Sequence, residues 1–507
     1  MTLRSHTSAA LILPALLLFL PLLWSCLPSP DGSSSRNPNL QPTPGADTVL
    51  FDTLFSRESS ATQALMIYNR TRETLLLDRI ALLHGADVGY RINVDGRKGE
   101  EFTALSLLPG DSLFVLLEAT YPPGADNMPV PVTDSLRLSC NGQDSYVLLL
   151  GYRQNAVRLQ GKTVSGAESF TALLPYIIED SLTVQAGATL TLEAGCRLLL
   201  RQNARIVVHG TLLSVGTPDR RVVIEGLRQD NLIPSVPYLL VPGQWQSIVF
   251  APTSQNNSLA YTIIRNGTHG LFFQTALAPE AQRLTMDHCV VTNHKGYGLR
   301  SAGGRYTLSD CELSNTGRAS LAPGHGRMLA ERTSVVNLFV WERRTEPALL
   351  YSLPSGEAPL ASDELTLVNC LVDGSYGSLP VGEYIGGGEV QVASALADRF
   401  RAANSYLRTA LDAFPPQNMS GCAQAEAPAK EVYRLNGFDA VKNEYHFWYD
   451  FRPLAGSPPT QMPSAPLAGQ YTQDLSGSAW ALPVSTPGAF TPTDTLGTAP
   501  WWDAFNF

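Results

Sequence analysis

Two heptapeptides, "DHCVVTN" at 287–293 and "SDCELSN" at 309–315, superpose with Cys289 on Cys311 and Asn293 on Asn315. Their separation, 311 − 289 = 22 residues, is that of one coil of a parallel β-helix. "YTIIRNG" sets Thr262 and Asn266 in the same two places, and "NCLVDG" sets Cys370 and Gly374 there. The shared pattern is a small inward residue, an apolar inward residue two positions on, and Asn or Gly where the backbone must turn. A coil of this kind cannot bury its apolar interior alone. It gains a core only when equivalent residues stack about 4.8 Å above and below it. Thr262, Cys289, Cys311 and Cys370 are therefore predicted to form one interior ladder. Its thiols are expected to stay reduced, because in-register parallel side chains rarely offer a disulfide torsion. Asn293 and Asn315 tolerate left-handed backbone. Glu312, next to Cys311, is expected to point outward and to accept substitution.

The same texture fills the chain beyond residue 160. In "SLTVQAGATLTLEAGCRLLLRQNARIVVHGTLLSVGT", Gly187, Gly195, Gly210 and Gly216 punctuate apolar runs too short to be helices. Two stretches depart from it. Residues 317–362 read as an interruption of the repeat in which only "TSVVNLFVW" is a good strand, and "SALADRFRAANSYLRTALDAF" has helix-like spacing. Upstream, "TVLFDTLF", "QALMIYN", "LLLDRIALL", "YRINVDG", "DSLFVLLEATY", "DSLRLSC" and "SYVLLLGY" are separated by turn signals. That count and spacing predict an immunoglobulin-like antiparallel sandwich over 46–158.

At the N-terminus, Arg4 precedes an apolar run at 9–24 that carries Pro14 and Pro21, which reads as a signal peptide over 1–25 rather than a spanning helix. Leu23, Trp24, Ser25 and Cys26 resemble a bacterial lipobox, which makes Cys26 the predicted lipid attachment point and the membrane a partner. Residues 26–45, rich in Ser, Pro, Asn and Gly, are expected to be a flexible tether. A net charge of -9 without any Lys/Arg run argues against nucleic acid. The remaining cysteines form no C-x-x-C pair and have no histidine spaced to complete a zinc site. Asp-Ser/Thr-aliphatic tripeptides recur at 47, 52, 111, 134, 180 and 494. They resemble an O-glycosylation signal of Bacteroidetes envelope proteins and equally suit the opening of a strand.

The runs "LTVQAGATLTLEAGCRLLL", "VHGTLLSVGTPDRRVVIEG", "PGQWQSIVFAPTSQNNSLAYTIIRNGTHGLFF" and "NEYHFWYDFRPLAGSPP" resemble those of cell-envelope lipoproteins common in Bacteroidetes. These join an N-terminal immunoglobulin-like domain to a right-handed parallel β-helix of the pectate-lyase type. The resemblance implies an all-β chain with a helix over 159–490, a tail over 491–507, and a place in the envelope as an outer-membrane lipoprotein facing the periplasm or the cell surface. It implies that "RAANSYLRT" is a strand and that "YTQDLSGSAWALPVSTPGAF" is the closing coil. It says little about activity.

Enzymes on such helices use clustered carboxylates, for calcium or for acid/base work. The candidates here are Asp287, His288, Asp310, Asp373 and Glu383. By strand alternation Asp287 and Asp310 leave opposite faces, and His288 with Asp310 reads as an exposed surface pair. No catalytic set, metal site or cofactor is legible. The first reading is a non-catalytic binding or scaffolding role toward a glycan, an envelope protein or a host protein; the alternative is a β-helical polysaccharide lyase or glycoside hydrolase. Candidate ligand contacts are Trp245, Trp341, Tyr376 and Tyr384, with Tyr445 and Trp448 as further aromatics.

Overall fold

The computed structural model describes residues 34–233, 236–276, 278–439, 444–462, 473–480 and 486–492. Cys26 and the signal segment lie outside them. The chain is all-β and divides into two compact units.

The first unit is a sandwich of two five-stranded sheets. All seven predicted strands are present, joined by Thr43–Pro44, Arg97–Gly99 and Glu101–Leu107. Alternation drives its assembly, because Leu65 and Ile67, or Val115 and Leu117, alternate with outward neighbours and bury between the sheets. The expected tether ends earlier than its composition suggested. Thr43–Pro44 pairs antiparallel with Ile67–Tyr68, Leu40 packs against the sandwich core, and Asn141 Nδ2 donates to the Leu40 carbonyl. Pairing with a sheet edge satisfies backbone groups that composition alone leaves to solvent. Two of the Asp-Ser tripeptides have a local structural role. Asp111 and Asp180 accept the backbone N–H of Ser112 and Ser181, where strands Ser112–Ala119 and Ser181–Val184 begin.

The second unit is the right-handed parallel β-helix. Its first sheet runs from Val157–Leu159 to Ala423–Gln424. Its second begins at Lys162–Val164, and its third runs from Ala167–Phe170 to Met419–Ser420. Register is kept by columns of inward apolar residues. In the second sheet Ile248, Leu271, Leu299, Leu321, Leu349 and Val390 pair in succession, and all are buried.

The cysteine column lies at the entry to the first sheet and is longer than predicted. Ile263, Val290, Glu312, Ser334, Leu371, Tyr406 and Ala423 pair in turn, so the residues just before them share one slot: Thr262, Cys289, Cys311, Thr333, Cys370, Ser405 and Cys422. The first six are buried, and all the slot cysteines are free thiols. Each side chain donates to the carbonyl two residues back: Thr262 to Ala260 (3.0 Å), Cys289 to Asp287 (3.3 Å), Cys311 to Ser309 (3.1 Å), Thr333 to Glu331 (3.0 Å), Cys370 to Val368 (3.4 Å), Ser405 to Ala403 (2.9 Å) and Cys422 to Ser420 (3.7 Å). Between donor and acceptor sits one left-handed residue: Tyr261, His288, Asp310, Arg332, Asn369, Asn404 or Gly421, with φ between 42° and 64°. The slot thus takes Cys, Ser or Thr because a short S–H or O–H closes the turn around a left-handed residue.

That rule corrects two readings. Residues 317–362 are not one interruption. Leu321–Ala322, Arg327–Glu331 and Ser334–Asn337 form a complete further coil with Thr333 in the slot, and 333 − 311 = 22. Threonine supplies the same donor as cysteine, so the coil persists where the cysteine pattern lapses. Nor is 471–490 a closing coil. Among the described residues the helical sheets end at Ala423–Gln424, and the chain then returns along the outer face of the first sheet. There Val432, Tyr433, Phe451, Leu475, Ala489 and Phe490 pack with Ile263, Val290, Val336, Leu371 and Tyr406. Glu312 lies beneath this cover and is buried, not free to vary. "RAANSYLRT" is strand on both sides of the left-handed Asn404, as Phe400–Ala403 and Tyr406–Leu407.

Candidate functional site

The left-handed turns gather the titratable residues into a ridge along the edge between the third and first sheets. A left-handed residue breaks strand alternation, so Asp287 and Asp310 do not diverge as alternation predicts. With His288 they bring one ligand atom each within 4.8 Å of one another. The His288 ring stacks on Tyr261 at 4.6 Å, near the spacing of adjacent coils, and Arg221 lies over the Tyr261 ring at 5.3 Å. Asp310 is fully buried, and both its oxygens accept from Arg332, each at 2.9 Å. His288 is buried too, so the expected exposed pair is neither exposed nor isolated.

Geometry argues against a metal in this cluster. Asp310 has both oxygens on a guanidinium. The His288 Nδ1 faces Asp287 at 3.0 Å and its Nε2 faces the Gln473 carbonyl at 3.2 Å, so Nε2 must carry a proton and cannot ligate. Burial favours the neutral ring, but Asp287 and Asp310 outweigh it and hold the His288 pKa above its ordinary value. Burial likewise lifts the Asp310 carboxyl, against the pull of Arg332. Arg221 donates to the carbonyls of His288 and Leu475. The ridge is the clasp that fastens the returning chain.

The other residues singled out in the sequence are structural or scattered. Trp245 is fully buried in the helix interior, where its indole N–H donates to the Arg265 carbonyl at 2.9 Å. Asp373 is buried against Arg408 and the Tyr433 hydroxyl, again under the returning chain. Trp341 and Tyr376 are half-buried on insertions; Tyr376 donates to the Thr345 carbonyl at 3.2 Å. Tyr384 stands half-buried in a strand antiparallel to Val390–Ala393, and Glu383 is exposed beside it. The side chains of Tyr445 and Trp448 lie outside the described set. The described aromatics among these form no row.

A concave site lies instead on the outer face of the second sheet. One residue past the inward leucines, the outward column reads Phe272, Arg300, Ala322 and then Leu350. Small residues at Ala322 and Gly324 leave a groove of about 310 Å³ between Phe272, Tyr297 and Arg300 on one side and Leu350, Leu353 and Pro354 on the other. The Arg300 guanidinium lies over Phe272 at 5.2 Å and over Tyr297 at 5.4 Å. Arg318 also lies over Tyr297 at 4.8 Å, and His269 stacks on the same ring at 5.7 Å. Arg318 is paired with Glu346 at 2.8 Å, whereas Arg300 is exposed and makes no hydrogen bond or ion pair with any described residue. Burial, then the charges of Arg318 and Arg300, pull the His269 pKa down, so its ring is neutral near pH 7.

His325 closes the far end. Its Nδ1 meets the buried Asp363 at 2.9 Å and its Nε2 meets the exposed Glu357 at 2.7 Å. Burial lowers its pKa, yet these two carboxylates outweigh burial and hold it above the ordinary value. Sequence reasoning missed every member of this groove. The signal was there in the pair "HGLFF" and "YGLRS", which aligns Leu271 with Leu299 and so Phe272 with Arg300.

No family model matches the sequence, and no curated protein does. Among solved structures the chain is similar to the ASH/PapD-like domain of human CEP192, at 11% identity and TM-score 0.16, covering 30% of this chain and 99% of that one. It is also similar to Dex49A from Penicillium minioluteum, at 7% identity and TM-score 0.15, covering 73% and 74%. A third likeness is to a protein of unknown function from Porphyromonas gingivalis W83, at 10% identity and TM-score 0.16, covering 25% and 60%.

Proposed function

We propose that the protein is an envelope-anchored lipoprotein whose helix binds a carbohydrate, without turnover, in the groove on its second sheet. One observation carries this reading. Two aromatic rings hold Arg300 in place over a concave surface while its donors meet no described protein group. Such an arrangement orients a donor fork before a ligand arrives, which lowers the entropy cost of binding. The groove's size is at the lower end for small-ligand sites, about 300–1,000 Å³. Hydrolysis has no support there, since no carboxylate is among the described residues that line it, and the carboxylates in contact with the lining are engaged: Asp363 and Glu357 by His325, and Glu346 by Arg318 and the Tyr297 hydroxyl.

A glycan array probed with full-length protein in detergent, beside assays for new reducing ends and unsaturated uronates, tests the reading. Binding without product is expected, and Tyr297→Ala should weaken it by about tenfold or more. Product release would replace the binding role with an enzymatic one. For the anchor, Cys26→Ala should abolish lipid labelling and move the protein to the soluble fraction.

A further inference from the structure

We infer that the ligand of this groove is an acidic sugar, whose oxyanion is taken by the guanidinium fork of Arg300. The inference rests on the groove binding carbohydrate. The chain carries 45 acidic residues against 36 basic ones, and the charge balance of the groove runs the other way. The described lining contains no carboxylate, and its two cationic groups are Arg300 and His325. Of these, His325 is neutralised by Asp363 and Glu357. Arg318, behind Tyr297, is neutralised by Glu346, and Lys295 nearby pairs with Glu342 at 3.3 Å. Among the described residues, that leaves Arg300 as the one uncompensated charge of the groove.

Its geometry favours an anion over a neutral hydroxyl. Phe272 and Tyr297 flank the guanidinium at 5.2 and 5.4 Å and accept none of its hydrogen bonds, so its planar fork of N–H groups stays available to a carboxylate or a sulfate ester, which accepts two parallel hydrogen bonds. Phe272 and Leu350, on either side, offer the apolar surface against which a sugar ring rests.

The test uses full-length protein in detergent and three fluorescent oligosaccharides of equal length: one containing uronate, one O-sulfated and one uncharged. Preference for either charged probe by about tenfold or more, lost in Arg300→Ala and largely lost in Arg300→Lys, is the expected result. The uronate and sulfate arms identify which oxyanion is taken. Lysine keeps the charge but not the fork, so full affinity in Arg300→Lys would overturn the assigned contact. Arg305→Ala, at the exposed start of strand Arg305–Ser309, should bind like the parent chain and reports on non-specific charge attraction. Equal affinity for the uncharged probe, unchanged in Arg300→Ala, would overturn the acidic-sugar inference while leaving the groove as a glycan site. If Leu350→Arg, which fills the groove, leaves binding of all three untouched, the groove reading itself falls. Thermal melts of each variant confirm that the compared proteins are folded.

Discussion

The outer faces of the first and second sheets are built by the same coils and end up with opposite characters. On the first, Ile263, Val290, Leu371 and Tyr406 alternate with Thr292, Ser314 and Asp373, and all are buried because Val432, Tyr433, Phe451, Leu475, Ala489 and Phe490 of the returning chain pack across this face. On the second, Phe272 and Arg300 face a groove with no such cover among the described residues. The difference teaches that an outward position in a β-helix coil is not a surface position. A segment from elsewhere in the chain decides it, and it decided against the residues that a motif search finds first.

The sharpest break in that comparison comes from the interior both faces share. Cys311→Arg places an unpaired charge in a slot with no exposure, so no folded protein is expected by circular dichroism. Cys311→Ser keeps a donor for the Ser309 carbonyl and should fold normally. Next in size is the covered face. Arg332→Ala leaves Asp310 buried without its guanidinium and should cost about 3–5 kcal/mol in denaturant melts. Glu312→Arg should now destabilise as well, since Glu312 accepts from the Ser314 hydroxyl at 2.6 Å beneath the cover. A melt unchanged by Glu312→Arg would mean that the returning chain does not lie there. Leu475→Ala, in the cover itself, should cost about 2–5 kcal/mol.

Smaller effects are expected on the open face. Its His325 clip should depend on pH: with carboxylates on both ring nitrogens, one proton cannot serve both, so the clip needs the imidazolium. The folded pKa of His325 is raised, so the contribution is complete below the ordinary histidine pKa and is lost as pH rises through the folded one. Protease cleavage within 354–360 should therefore increase from about pH 6 to pH 8, and Glu357→Gln should flatten the dependence. Smallest of all, Arg300→Ala should change stability by no more than about 0.5 kcal/mol while abolishing ligand preference. A large stability loss there would make Arg300 a structural residue and erase the contrast between the faces.

Much of the fold was legible because repeats repeat. The 22-residue spacing, the Asn turns and the seven sandwich runs each rest on local chemistry that a reader of residues can reproduce. The left-handed column was not legible, for a physical reason: Tyr261 and Arg332 carry no preference for that conformation, and a Thr donor in the next position reaches back over them to hold it. Missing that turn misdirected Asp287 and Asp310, and reading 317–362 as an interruption hid the coil built on Thr333. The candidate site was less legible still. Arg300 and Phe272 look ordinary in sequence, and meet only because Leu271 and Leu299 pair in register.

By itself, then, the sequence determined the all-β class, the sandwich strands, the coil period and the interior ladder. These depend on side-chain alternation, turn propensity and the need of each coil for a neighbour, all of which act over a few residues or one repeat. Only the tertiary structure decided which outward residues meet water and which meet the returning chain. It turned an acidic, histidine-bearing cluster into a clasp and left an arginine flanked by two rings open in a groove. Burial on the outside of a β-helix comes from contacts between segments far apart in the chain, and no local pattern encodes the place where a distant segment will lie down.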